Sequence, residues 1–201
     1  MYRPPSVAAT DSEALWSLLS LHLHNCDPKH RLRVLDCTYS TGQIWEGACP
    51  LLFDLDKSDL HPQSLDVRRE DYMTIKRKRL DGLVWDPPHI ADAGEHSVMG
   101  NRFGSVDLTA PGYMETFALQ AHAVLRPDGV LIAKMCDGIH SGVYQWHHVN
   151  LVNACKRAGF QDFDCIVVPS TSRMPTNRAK RVLHVKNAHV YWIAAMKKKV
   201  S

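Results

Sequence analysis

The sequence has no CxxC pair, no GxGxxG turn, no apolar run approaching a membrane span, and no internal repeat. Each absence removes a class. The six cysteines (Cys26, Cys37, Cys49, Cys136, Cys155 and Cys165) are scattered, mostly in apolar runs. That predicts reduced thiols in a cytoplasmic compartment rather than a disulfide framework or a zinc site. His22, His24, Cys26 and His30 lie close together, but their spacing fits no familiar zinc pattern, so no metal is predicted. No stretch reaches the roughly 20 apolar residues that cross a bilayer. Met1–Thr10 lacks a basic region followed by an apolar run, so no secretory signal is predicted. Neither a low-complexity tract nor a linker divides the 201 residues. One domain over residues 1–201 is predicted, with residues 1–30 as an N-terminal helical extension.

What is present is ordinary in bulk and uneven in detail. Hydrophobic residues make up 45% and charged residues 22%, the balance of a globular chain. The net charge is only +3, yet the cations cluster at Lys76–Arg79, at Lys197–Lys199, and at Arg173, Arg178, Lys180, Arg181 and Lys186. Any one cluster can be solvated surface. The segment Pro169–Asn187, with five cations and no acid, suits a polyanion such as nucleic acid.

Periodicity predicts a helix over Asp11–Leu23, capped by Asp11 or Ser12 with Glu13 in its first turn. Strands are predicted over Arg31–Asp36, Leu51–Leu55, weakly over Ser64–Val67, and over Leu80–Trp85, Val130–Met135, Phe163–Val168 and His189–Met196. Further helices are predicted over Tyr113–Leu125, before a turn at Arg126–Gly129, and over Val143–Ala158, with Gly159 as the stop. Continuous apolar strands alternating with helices imply an α/β fold, a mostly parallel sheet covered on both faces. The last two strands, with no helix between them, should form an antiparallel edge pair. The long loops Ile90–Pro111 and Pro169–Asn187 are of the kind that carry function.

The most telling residues are Trp85-Asp86-Pro87-Pro88-His89. An apolar strand stops at an acid followed by two prolines, which cannot continue the ladder and which fix φ near −65°. The acid is therefore held nearly rigid at the carboxyl end of a strand, where open α/β sheets bind ligands. An acid, a stiff backbone and a flat ring form a grip for a planar amine. Two earlier strands also end in acids. Asp36 leads into Cys37-Thr38-Tyr39-Ser40-Thr41-Gly42, a small-residue turn with one glycine. Asp54 and Asp56 lie at the end of the next strand, where a carboxylate can take both hydroxyls of a ribose. Asp66, near the third strand, could reach an adenine amino group. Each reading competes with an ordinary turn or solvated surface.

In this order the motifs resemble the class I S-adenosylmethionine-dependent methyltransferases over roughly Arg31–Lys197. Within them they are similar to the amino-methyltransferases of DNA adenine or cytosine, and the DPPH element and FGSVD look like small phage- and prophage-type enzymes. The resemblance implies a Rossmann-like domain with a seven-stranded sheet whose last strand is antiparallel. It also implies S-adenosylmethionine as cofactor, and the cytoplasm of a bacterium or phage-infected host. It assigns Asp36, Thr38, Tyr39 and Gly42 to the methionine part of the cofactor, Asp54 to the ribose and Asp66 to the adenine edge. Asp86, Pro87, Pro88 and His89 would be catalytic. Two positions depart from the family pattern: Ser40-Thr41-Gly42 is poorer in glycine than usual, and His89 stands where tyrosine or phenylalanine is commoner.

The chemistry explains why such residues are needed. An exocyclic amine is a poor nucleophile because its lone pair is delocalised. An acceptor on each N–H favours the pyramidal nitrogen, and Asp86 with the Pro87 carbonyl can supply both, already in place. His89 would stack on the base. Asn101, Arg102 and Phe103 in the first long loop would hold the strand around the pocket, as would Arg173, Arg178, Lys180 and Arg181 in the second. Phe103 could equally be a buried anchor, and Lys134 could point to the pocket mouth. About 200 residues leave no room for a separate recognition domain, so sequence preference would be short, weak, or supplied by a dimer partner. The reading is methyl transfer to a DNA base, adenine N6 ahead of cytosine N4. Alternatives are an RNA base or a protein amide as acceptor, and a non-catalytic nucleic-acid-binding module.

Overall fold

The computed structural model describes residues 5–23, 31–47, 53–88, 103–140, 143–169 and 189–198. Outside them lie His89, Asn101 and Arg102, the basic positions Arg173, Arg178, Lys180 and Arg181, and the residues His24, Cys26 and His30. The elements are α1 (Asp11–Leu23), β1 (Leu32–Asp36), β2 (Phe53–Asp59), β3 (Arg68–Arg69), β4 (Leu80–Trp85), α2 (Tyr113–Val124), β5 (Leu125–Met135), β6 (Gly138–His140), β7 (Val143–Gln145), α3 (His147–Ala158), β8 (Gln161–Pro169) and β9 (His189–Met196).

Seven strands make one sheet in the order β3-β2-β1-β4-β5-β9-β8. Pairings among β3, β2, β1, β4 and β5 are parallel, and β9 runs antiparallel to both β5 and β8. This is the expected α/β sheet with its last strand reversed. That strand lies inside the sheet, with β8 at the margin. The strand order reverses between β1 and β4, so their carboxyl ends flank a crevice suited to a ligand.

Alternation along the strands feeds two cores. Leu83, Trp85, Leu131, Ala133, Met135, Ile193 and Ala195 face α2 and α3. Val34, Val84, Val130, Ile132, Trp192 and Ala194 face α1. Predicted as an N-terminal extension, α1 is the layer covering that second face, with Leu15, Leu18 and Leu19 buried against it. Among the described residues no helix is long and apolar enough to cross a membrane.

Several expectations need correction. β2 ends later than predicted because it pairs with all of β1, from Leu32↔Phe53 to Asp36↔Lys57; Leu51 and Leu52 of the predicted strand lie outside the described residues. An apolar run ends at Leu55, but backbone pairing continues through charged positions near the sheet margin. There Asp56 is paired with Arg77 (3.2 Å) and Lys57 with Asp66 (2.8 Å). β3 is two residues long and lies just after the predicted segment. The expected turn at Arg126–Gly129 lies inside β5, where pairing shifts register between Leu80 and Gly82 and Asp128 takes a φ of 63°. Val143–Gln145 pairs with Gly138–His140 as a small hairpin, and α3 starts only at His147. Gly159 does end α3, at a φ of 99° with its N–H returned to the last turn. The cap of α1 is Thr10, not Asp11 or Ser12. Its Oγ1 accepts the Glu13 N–H at 3.1 Å, and the Glu13 carboxylate accepts the Ala9 N–H at 2.7 Å, a capping box shifted by one residue.

Candidate active site

At the carboxyl ends of β1, β2 and β4 lies a cavity of about 360 Å³. Thr38, Ser40, Asp59 and Tyr72 line one side, Asp86, Pro87, Pro88 and Lys134 another, and Phe103–Val106 a third. The volume falls in the range of small-molecule sites, roughly 300–1,000 Å³.

β4 is buried along its whole length and carries its chain to Asp86 at the cavity wall. The Asp86 N–H donates to Thr38 Oγ1 at 2.6 Å, which ties the turn after β1 to the start of the Pro-Pro segment. The Asp86 carboxylate meets Lys134 Nζ at 3.1 Å. The Lys134 ammonium also reaches Asp11 at 3.0 Å. Burial pushes Lys134 down, but Asp86 and Asp11 outweigh it and hold the lysine above its ordinary value. Trp85 has no part in the lining. It is fully buried, stacked on Phe117 with ring centroids 3.7 Å apart and edge-on to Tyr72 at 5.9 Å. It is the floor that fixes the end of β4.

The turn after β1 is arranged from beneath. Asp36 is fully buried and absent from the cavity lining. It accepts the Thr38 N–H at 2.9 Å and the Trp45 Nε1–H at 2.6 Å, so it sets the turn. Burial pushes its carboxyl up, the two hydrogen bonds oppose this, and the nearby Asp86 and Asp59 add to the rise, which reaches about 7. Tyr39 and Gly42 are absent from the cavity lining. Gly42 has a φ of 75°, and a Cβ there would sit 2.4 Å from the Tyr39 hydroxyl, so the glycine makes room for Tyr39. Lys57 Nζ lies 4.8 Å over the Tyr39 ring. Of the four residues assigned to the methionine part, Thr38 alone lines the cavity, and Ser40, two positions on, joins it.

The two outer acids are also displaced. Because β2 runs from Phe53 to Asp59, Asp54 sits at its far end, ion-paired to Arg31 at 2.7 Å. The acid at the carboxyl end is Asp59. One of its oxygens accepts the Ser40 N–H and the other the His61 N–H, both at 2.7 Å. A carboxylate has about four lone-pair sites, so each oxygen can accept one more donor. Asp66 precedes β3 rather than following it. It is held to about 2, first by the Lys57 hydrogen bond and then by Ser64, outside the lining. The residue that reaches the cavity after β3 is Tyr72, whose hydroxyl shares a 2.6 Å hydrogen bond with Tyr113. Phe103 does line the cavity. Asp59 and Tyr72 were legible only once the register of β2 and β3 was known, and Asp11 carried no local signal.

No protein-family model matches the chain, and no curated protein matches it. Solved structures do. A 1,6-didemethyltoxoflavin-N1-methyltransferase from Burkholderia thailandensis, with S-adenosylhomocysteine bound, aligns with a TM-score of 0.55 at 16% identity, over 95% of this chain and 80% of that one. A SAM-dependent methyltransferase from Archaeoglobus fulgidus aligns with a TM-score of 0.54 at 12% identity, over 92% and 94%. A TehB-like SAM-dependent methyltransferase from Corynebacterium glutamicum gives 0.51 at 13% identity, over 94% and 87%. The chain therefore has the Rossmann-like fold of these methyltransferases.

Proposed function

We propose that this protein is an S-adenosylmethionine-dependent methyltransferase acting on an exocyclic amino group of a DNA base, adenine N6 ahead of cytosine N4. The observation that carries the proposal is Asp86. Its backbone is tied to Thr38, its carboxylate is bound by Lys134, and it stands beside two prolines in a cavity at the switch point of the sheet. The fold and the neighbour with S-adenosylhomocysteine support the choice of cofactor.

The residues present suit that cofactor. Asp59 and Asp86 give the cavity an acidic lining, favourable to a positively charged donor. Asp59 would take the ribose hydroxyls on its remaining lone pairs, Ser40 and Thr38 would border the methionine part, and Tyr72 would face the adenine. When bound, the cofactor supplies an electrophilic methyl group on a sulfonium. The chain's own task is to present the amine. Asp86 accepts one N–H and the Pro87 carbonyl the other, which localises the nitrogen lone pair. The prolines hold both acceptors still, so little reorganisation is needed. Asp86 then takes up the proton that the amine sheds, and Phe103 stacks on the acceptor ring. His89 is assigned the same stacking duty from sequence.

The test incubates DNA, RNA and peptide acceptors with methyl-labelled cofactor and reads the products by mass spectrometry of nucleosides and amino acids. N6-methyladenine from DNA is expected. A methylated RNA base or amide would replace the acceptor, and no product together with no S-adenosylhomocysteine binding by calorimetry would overturn the proposal. Asp86→Ala should lower transfer about 10²–10³-fold, the cost of losing one preorganised group, with S-adenosylhomocysteine binding retained.

A further inference from the structure

Lys134 is the one cation among the described residues that line the cavity. Its stem leaves β5 on the α1 face, beside Ile132, and its ammonium stands between two carboxylates, Asp86 at 3.1 Å and Asp11 at 3.0 Å. Asp11 is itself fixed, because its other oxygen accepts the Trp192 Nε1–H at 2.8 Å. Thr10, not Asp11, caps α1, which leaves the Asp11 carboxylate available for this contact. A chain of contacts thus runs from Trp192 in the core through Asp11 and Lys134 to the acid at the cavity wall.

We propose that Lys134 is a positioning residue, its ammonium tethered by Asp11 so that it fixes both the direction and the basicity of the Asp86 carboxylate. The proposal deepens the amino-methyltransferase reading and rests on it for the meaning of Asp86. A carboxyl group accepts an N–H best as the anion, which has no proton of its own to donate, yet it need not be a strong base, since a methylated ammonium loses its proton readily. A bound lysine supplies both conditions: it favours the carboxylate form and removes its rotational freedom.

Among the described residues, the charged and titratable groups around Asp86 include Lys134 from β5, Asp11 from α1 and Asp36 from β1. Asp59 from β2 and Tyr72 after β3 line the same cavity. The carboxylates among them oppose ionisation of Asp86, and Lys134 favours it. Asp11 therefore acts in two ways: it anchors the lysine and, as a second anion, dilutes its effect. Lys134→Met and Asp11→Asn should shift Asp86 in opposite directions. Asparagine at position 11 still offers an oxygen to Trp192.

The experiment follows the carboxyl carbon of Asp86 by NMR through a pH titration in protein labelled with ¹³C-aspartate, the signal being assigned by its loss in Asp86→Asn. The midpoint should rise by about 1–3 units in Lys134→Met, the span expected when a close opposite charge is removed. It should fall in Asp11→Asn and return most of the way in Lys134→Arg. With the acceptor that the wild-type protein labels, the acid limb of kcat/KM should move with the midpoint. Absence of labelling from the wild-type protein would count against the methyltransferase reading, whereas the titration reports on Lys134 whatever the acceptor. A midpoint unmoved in Lys134→Met, or lowered in neither Asp11→Asn nor Lys134→Arg relative to Lys134→Met, overturns the assignment.

Discussion

Asp54 and Asp59 carry the same side chain five positions apart on one strand, and only Asp59 reaches the cavity. Parallel pairing decides between them, since β2 must run level with β1 before either can end at the switch point. If Asp59 holds the cofactor ribose, Asp59→Asn should weaken S-adenosylhomocysteine binding about 10- to 100-fold, the worth of hydrogen bonds to a charged acceptor. Asp54→Asn, which loses a surface pair with Arg31, should leave calorimetric affinity unchanged. Asp36 makes a different prediction. Its carboxyl, raised from 3.8 to about 7 chiefly by burial, keeps a proton in the folded state that the unfolded chain gives up. Its contribution to stability is thus complete below the ordinary carboxylate value and is lost as pH climbs through about 7. Urea unfolding should show wild type losing stability relative to Asp36→Asn across that window, with a constant difference from about pH 8 upward. Wild type gaining stability relative to Asp36→Asn as pH rises through that window would reverse the sign and refute it.

Among elements, those bounded by hard chemical stops were legible in the sequence. β4 ends at an acid and two prolines, and its bounds are the predicted ones. α1 and β9 likewise have the predicted bounds, one through helical spacing and the other through an unbroken apolar run. β2 was misread because its second half is held by pairing and ion pairs rather than by apolar side chains. The β6–β7 hairpin was hidden because Val143 and Trp146 stand at helical spacing, although both are more than half exposed. The Lys134–Asp11 contact joins residues far apart in sequence, and no local pattern announces it. The cap of α1 offers a test on the element itself. Thr10→Ala should lower stability by about 0.5–2 kcal/mol in thermal or urea unfolding. Because the same turn carries Asp11, it should also loosen the tether on Lys134. A variant as stable as wild type would deny Thr10 its role as cap.

For the whole molecule, a net charge of +3 hides a marked asymmetry. The cavity lining is acidic, while the sequence between β8 and β9 holds Arg173, Arg178, Lys180, Arg181 and Lys186 with no acid. If that stretch meets phosphates, replacing Arg173, Arg178, Lys180 and Arg181 by glutamine should flatten the log–log salt dependence of DNA binding. The slope should fall by up to about 3–4, close to one unit for each phosphate no longer neutralised. An unchanged slope would place the polyanion elsewhere. The sheet order bears on how the molecule is made. Among the described residues β8 pairs with β9 and, apart from one bridge to Val7, with no other strand, while β9 fills the gap between β8 and β5. During synthesis β8 therefore emerges with no neighbouring strand to receive it, and the apolar strand β5 remains an open edge. Both wait for the arrival of the residues from His189 to Met196. In that interval the nascent chain exposes one unpaired strand and one open sheet edge, a template for mispairing with other chains. A ribosome pause or a nick before His189 should consequently yield aggregate rather than a smaller folded domain.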